Sequence, residues 1–123
     1  MNTAPLNYKD LIVWQKAMDL VLCIYQLTSH FPQSEIYGLV SQMRRCSVSI
    51  PSNIAEGRCR GTRKDYRQFL VMAFSSGAEL ETQITLAKRL HFGKISDYQN
   101  AENLLLEVMK MLNAMTHTLK VAA

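Results

Sequence analysis

The sequence predicts an all-α protein, an antiparallel up-down-up-down four-helix bundle. Three observations carry that prediction. Apolar residues recur at alternating spacings of 3 and 4 through most of the chain, the period of a helix with one buried face. Only three prolines and five glycines interrupt the pattern, and they fall between periodic segments more often than inside them. No segment sustains the strict alternation of a half-buried strand. The 123 residues, 48% of them apolar, suffice for one domain with a real core, placed at residues 8–120. Residues 1–7 and 121–123 are expected to be flexible ends.

The first helix is expected from about Tyr8 to Thr28, with Asn7 as N-cap and Asp10 in the first turn. Two apolar sets run along it. One is Leu11, Trp14, Met18, Val21 and Tyr25; the other is Val13, Ala17, Leu20, Ile24 and Leu27. Together they make a face wider than a two-stranded seam requires. Phe31-Pro32 ends the helix. Ser34 is the expected cap of the second helix, with Glu35 in its first turn, and Ile36, Leu39, Val40, Met43, Ile50 and Ile54 continue the period. Pro51 lies inside this run and is expected to kink or break it, because it lacks the backbone N–H. Gly57 is the expected stop, as a left-handed C-terminal residue.

After a short basic loop, Arg58 to Gly61, Thr62 reads as an N-cap with Asp65 three residues on. The third helix then runs to about Leu90, with Phe69, Ala73, Leu80, Ile84 and Ala87 along one stripe. Ala73 and Gly77 are one turn apart and admit a close neighbour. Gly93 breaks the chain again. Ser96 and Gln99 form a capping box for the fourth helix, whose apolar face includes Ala101, Leu104, Leu105, Val108, Met111, Leu112, Met115 and Leu119. Short connections between four such helices favour consecutive antiparallel neighbours.

The net charge is +4, and all of it lies in one stretch. Residues 1–34 and 68–123 each sum to zero. Residues 35–67 hold Arg44, Arg45, Arg58, Arg60, Arg63, Lys64 and Arg67 against Glu35, Glu56 and Asp65. Arg63 and Lys64 occupy the first turn of the third helix, where the helix dipole disfavours cations by ~0.3–1 kcal/mol. An anion explains them: guanidinium groups and first-turn N–H groups together suit a phosphate. Arg58, Arg60, Arg63, Lys64 and Arg67 are therefore the candidate nucleic-acid contacts. Ion pairing across a subunit boundary and a plain solvated face remain open for the same residues. Arg44 and Arg45 are less clear; either has the option of turning inward to a buried acid such as Glu56 or Glu79.

Pro51, Asn53, Glu56 and Gly57 form a structural motif in which Asn53 and Glu56 are expected to satisfy backbone groups freed by the proline. Catalytic and metal sites are not expected. Glu79 and Glu81 are two apart and face different ways. Ser75-Ser76-Gly77 lacks the nucleophile-elbow frame. There is no Walker loop or dinucleotide fingerprint, and neither Glu102 nor Glu107 makes a Glu-x-x-His pattern with His117. His30, His91 and His117 are scattered. Cys23, Cys46 and Cys59 have no zinc spacing and read as thiols in a reducing compartment. The methionines read as core filler or subunit interface. No cofactor is implied. The longest apolar runs, Leu20–Tyr25 and Phe69–Phe74, fall far short of the ~20 residues that span a bilayer, and the start of the chain has no apolar signal region. A cytoplasmic protein without membrane contact is expected.

Ser49-Ile50-Pro51-Ser52-Asn53-Ile54-Ala55-Glu56-Gly57 resembles the signature of the four-helix-bundle family encoded in intervening sequences of bacterial 23S ribosomal RNA genes. Leu11-Ile12-Val13-Trp14-Gln15-Lys16-Ala17, Phe31-Pro32 followed by Glu35 and Tyr37-Gly38-Leu39, and Phe69-Leu70 followed by Glu79-Leu80-Glu81-Thr82 agree in order and spacing. The resemblance implies an antiparallel bundle assembling as a ring-like homopentamer. It also implies kinship with the basic accessory variability determinant proteins of diversity-generating retroelements, which bind a reverse transcriptase and nucleic acid. The expected function is that of a non-enzymatic, oligomeric basic accessory protein binding RNA or DNA phosphates through the segment joining the second and third helices. The alternative is a scaffold whose basic surface docks an acidic protein such as a reverse transcriptase.

Overall fold

The computed structural model describes residues 7–121, with four long helices: α1 (Ile12–Thr28), α2 (Leu39–Cys59), α3 (Arg63–Arg89) and α4 (Ile95–Val121). No strand occurs among the described residues. Apart from Asn7 and the backbone of Val121, the ends expected to be flexible lie outside them. Asn7 is ordered into a cap. Its Oδ1 accepts from Lys9 N–H at 2.9 Å and its own N–H donates to Asp10 Oδ2 at 3.2 Å. The turn it caps is a separate 3-10 helix, Tyr8–Asp10. Leu11, extended at φ −72° and ψ 127°, breaks this turn from α1, so α1 starts at Ile12 and not at Tyr8.

Cross-helix contacts fix the directions. Arg44 near the start of α2 donates to Thr28 at the end of α1 (3.0 Å). Gly57 near the end of α2 lies against Tyr66 and Phe69 at the start of α3. Arg67 donates to the carbonyl of Thr116, pairing the start of α3 with the end of α4 (3.1 Å). Lys16 meets Glu107 at 2.7 Å and His30 lies 3.7 Å from Asp97, so α1 and α4 also run oppositely. Each helix packs on its two sequence or closing neighbours and none packs across the diagonal. The result is the up-down-up-down bundle.

The core is the set Val13, Ala17, Leu20, Ile24 and Leu27 of α1 facing Met43, Ile50 and Ile54 of α2, Leu70, Ala73, Leu80 and Ile84 of α3, and Ala101, Leu105, Val108 and Leu112 of α4. The other apolar set of α1 lies at the margin: Leu11, Trp14 and Val21 are half-buried, Met18 and Tyr25 exposed.

Five expectations about α2 need correction, the last of them at Gly57. Ser34 does not cap it; Pro32 opens a 3-10 turn at Gln33–Glu35, Gly38 has non-helical backbone, and α2 begins at Leu39. The cap comes from Glu35, whose Oε1 accepts from Leu39 N–H at 3.4 Å. Pro51 does not break the helix. It is buried between Ile50 and Ile54, and core burial holds the turn helical despite the missing donor. Asn53 does bond the backbone there, but its Nδ2 donates to the Ser49 carbonyl (2.8 Å) and not to that of Ser47, which Pro51 leaves without its usual donor. Glu56 does not serve the backbone at all; its side chain is 57% exposed and pairs with Arg60 one turn on, at 3.5 Å.

Gly57 is not a left-handed stop, because α2 continues to Cys59. Its missing side chain serves packing: a Cβ there would sit 2.6 Å from Phe69 Cβ. The left-handed C-terminal residue of the bundle is His91, φ 62°, after α3. Phe92 N–H donates to Ala87 O and His91 N–H to Lys88 O, both at 3.1 Å, which closes a Schellman motif. Gly93 follows at φ 75°, against the Phe31 ring. Thr62 caps α3 as expected, accepting from Asp65 N–H at 3.1 Å. Ser96 lies inside the first turn of α4, which opens at Ile95. Gly77 does admit a close neighbour: a Cβ there would overlap the sulfur of Met109.

Candidate nucleic-acid interface

One end of the bundle gathers the α2–α3 turn, the start of α1 and the end of α4. The turn is tight. Arg60 is extended and donates its N–H to Gly57 O at 3.1 Å, and Thr62 restarts the helix two residues later. The close approach at Gly57 lets both helices reach this turn side by side. All five expected contacts are therefore brought to the same end.

Their surroundings differ. Arg58 is half-buried beside Tyr66, whose hydroxyl pKa burial raises and the Arg58 charge partly lowers again. Arg60 is exposed, stacks over the Phe69 ring at 4.9 Å and meets Glu56 at 3.5 Å. Arg63 and Lys64 are exposed in the first turn of α3. Arg67 is half-buried, anchored through Nε to Thr116 O. Among the described residues only Arg60 of the five has a carboxylate oxygen within 4.0 Å.

Between the start of α3 and the end of α4 lies a cleft of about 450 Å³. Arg63, Lys64 and Arg67 line one side, and Leu119 and Lys120 the other, with Gln68 and Val71 deeper along α3. Sequence reasoning missed Gln68, Val71, Leu119 and Lys120. Nothing local marks them; only the pairing of α3 with α4 puts them beside the arginines.

Arg44 and Arg45 do not turn inward to acids. Arg44 lies over the Tyr25 ring at 4.5 Å and bonds Thr28, while Arg45 donates to Ser41 Oγ at 3.3 Å. Neither proposed acid is buried: Glu56 is at the surface, and exposed Glu79 accepts from Gln83 Nε2 at 3.2 Å. Cys46 is a buried thiol donating to Ser76 O at 3.0 Å, its pKa pushed up to about 12 first by burial and then by the Glu79 charge. Cys23 is half-buried and also raised by burial, with Asp19 and Asp97 adding to it. Both thiols thus keep their protons, which suits inert packing better than nucleophilic or metal chemistry. No group of three or more His, Cys, Asp or Glu side chains is placed to hold a metal among the described residues. Nor is any helix among them long and apolar enough to cross a membrane.

Comparison with known proteins supports the architecture. A solved structure from Bacteroides thetaiotaomicron, described as a protein with unknown function from the S23 ribosomal protein family, matches with a TM-score of 0.75. It is 22% identical, and the match covers 85% of this chain and 98% of that one, so it bears on the fold alone. Among curated proteins none matches. The family model described as 23S rRNA-intervening sequence protein matches residues 9–114, which takes in α1, α2, α3 and most of α4. With a bundle of this topology and Gly57 of the Asn53-to-Gly57 signature packed tightly against α3, the chain belongs to the 23S rRNA-intervening sequence protein family.

Proposed function

We propose that this protein is a non-enzymatic, oligomeric accessory protein that binds nucleic acid through the basic end of the bundle. The observation that carries the reading is the lack of local compensation. Arg58, Arg63, Lys64 and Arg67 share one end, and none has a carboxylate within 4.0 Å among the described residues. Clustered like charges repel, so such a cluster destabilises the free protein and is relieved by a polyanion. Arginine favours bidentate phosphate contact.

Self-association has its own support. Large apolar side chains stand in solvent on the outer faces, among them Leu22 at 69%, Ile12 at 59% and Leu106 at 54% exposure. The subunit count of five rests on the resemblance. Copies in a ring would display the basic end several times and convert weak contacts into avid binding.

Titrating structured RNA and duplex DNA at two salt concentrations tests the proposal. Five phosphate contacts per subunit predict a log–log salt slope of about −4 to −5 on duplex. The double substitution Arg63→Gln, Arg67→Gln should reduce that slope by about 2. No binding at low salt, or an affinity indifferent to salt, overturns the reading. The same uncompensated cations also suit an acidic protein partner, such as a polymerase. Co-purification separates the two: nucleic acid raises the 260/280 absorbance ratio, and a protein partner appears as a second band.

A further inference from the structure

The cleft between the start of α3 and the end of α4 has a composition that phosphate binding alone does not require. Its walls are largely apolar: Val71 and Leu119, together with the aliphatic stems of the long cationic side chains. Its rim carries Arg63, Lys64, Arg67 and Lys120, and among the described residues no acid lines it. Gln68 supplies an amide with both donors and an acceptor. Arg67, which borders the cleft, is anchored by its Nε bond to Thr116 O at 3.1 Å.

We infer that this cleft receives an unpaired nucleobase, so that the basic end prefers looped or single-stranded nucleic acid to a fully paired duplex. The inference rests on the nucleic-acid reading above and specifies its substrate. A base has two apolar faces and a polar edge. The faces suit the apolar walls and the anchored Arg67 guanidinium, since guanidinium groups stack on unstacked bases. The edge suits the Gln68 amide. The phosphates on either side of the extruded nucleotide meet the cationic rim. A cleft of about 450 Å³ has room for one base with its sugar. An acidic peptide satisfies the rim as well, but its carboxylates offer no apolar face to the walls.

The test compares three labelled RNAs of equal phosphate count by fluorescence anisotropy with the full chain. They are a hairpin with an unpaired loop, the same hairpin with abasic loop positions, and a blunt duplex. The abasic loop keeps every phosphate and loses the bases. The expected result is binding about threefold weaker for the abasic hairpin and the duplex than for the intact hairpin, less than an aromatic platform gives because no aromatic ring is among the described lining residues. Val71→Trp, which fills the cleft from a 38% exposed position, should bring the hairpin-to-abasic ratio towards one. Gln68→Ala, at an exposed position, should narrow differences between loop bases and serves if the tryptophan variant folds poorly. Equal binding of all three RNAs overturns the base cleft while leaving the phosphate reading intact. Absence of binding to any of them at low salt overturns both. Capture of an acidic amphipathic peptide that Val71→Trp abolishes, with the abasic loop bound as well as the intact one, reassigns the cleft to a protein partner and also overturns it.

Discussion

Replacing Gly57 by alanine sets two known effects against each other. Alanine in a helix interior is favoured over glycine by ~1 kcal/mol, so the substitution stabilises α2 locally. The new Cβ, however, would lie 2.6 Å from Phe69 Cβ and 3.3 Å from both Tyr66 Cδ1 and Tyr66 O. Ordinary carbon contact is nearer ~3.5–4.0 Å, so α2 and α3 must move apart by roughly 1 Å. Neither obstacle swings away, because one is a Cβ and another is backbone. Separation loosens buried neighbours on both helices, Ile54 and Leu70 among them. Overpacking of a close contact costs about 1–3 kcal/mol, and more when the obstacle is rigid. The expected net effect is destabilisation by about 1–2 kcal/mol, a fall in Tm of roughly 4–8 °C for a chain of this length. Urea unfolding followed by Trp14 fluorescence, at one protein concentration, measures it. Gly61→Ala is the control. Nothing lies within 4 Å of its added Cβ, so it should be neutral or stabilising by about 0.5 kcal/mol. Gly57→Asn separates packing from capping. A left-handed cap accepts Asn readily, whereas a tight contact makes Asn worse than Ala. Native stability in the alanine variant, or an asparagine variant more stable than the alanine one, would refute the packing role.

Other expectations follow from single contacts. His91→Gly should stabilise by about 1 kcal/mol, because His91 holds φ 62° where a Cβ is disfavoured and its ring is exposed; thermal unfolding reports it. Tyr98→Phe should destabilise by about 1 kcal/mol or somewhat more, because the hydroxyl donates to Phe92 O at 2.7 Å from a nearly buried ring and the carbonyl then loses that partner. Stability should also fall in alkali. Burial, reinforced by Glu79, favours the neutral Cys46 thiol, so its contribution is intact below the ordinary value of 9.0 and is lost as pH rises towards about 12. Cys46→Ala should flatten the urea midpoint between pH 9 and 11 relative to the native chain. At neutral pH, exposed Cys59 should react with iodoacetamide well before Cys46.

Much of the architecture is legible in the residues themselves. The 3- and 4-residue apolar period marks four helices, and the Thr62 cap and the loop near Gly93 are readable from short-range chemistry. The concentration of charge in residues 35–67 is likewise a property of composition. These features are local: each follows from how a side chain relates to its own turn of backbone. The packing of helices against one another decided the rest. It selected Val13, Ala17, Leu20, Ile24 and Leu27 over an equally periodic set as the buried stripe of α1. It kept the helix continuous through Pro51, where the missing N–H invites a break, because the residues around it are buried. It turned Gly57 from an apparent stop into the point where two helices nearly touch. It also set Leu119 and Lys120 beside Arg63 and Arg67, some fifty residues away in sequence, to make a cleft. A sequence period states which face of a helix is apolar, but which neighbour covers that face depends on contacts between distant segments, and those exist only once the chain has folded.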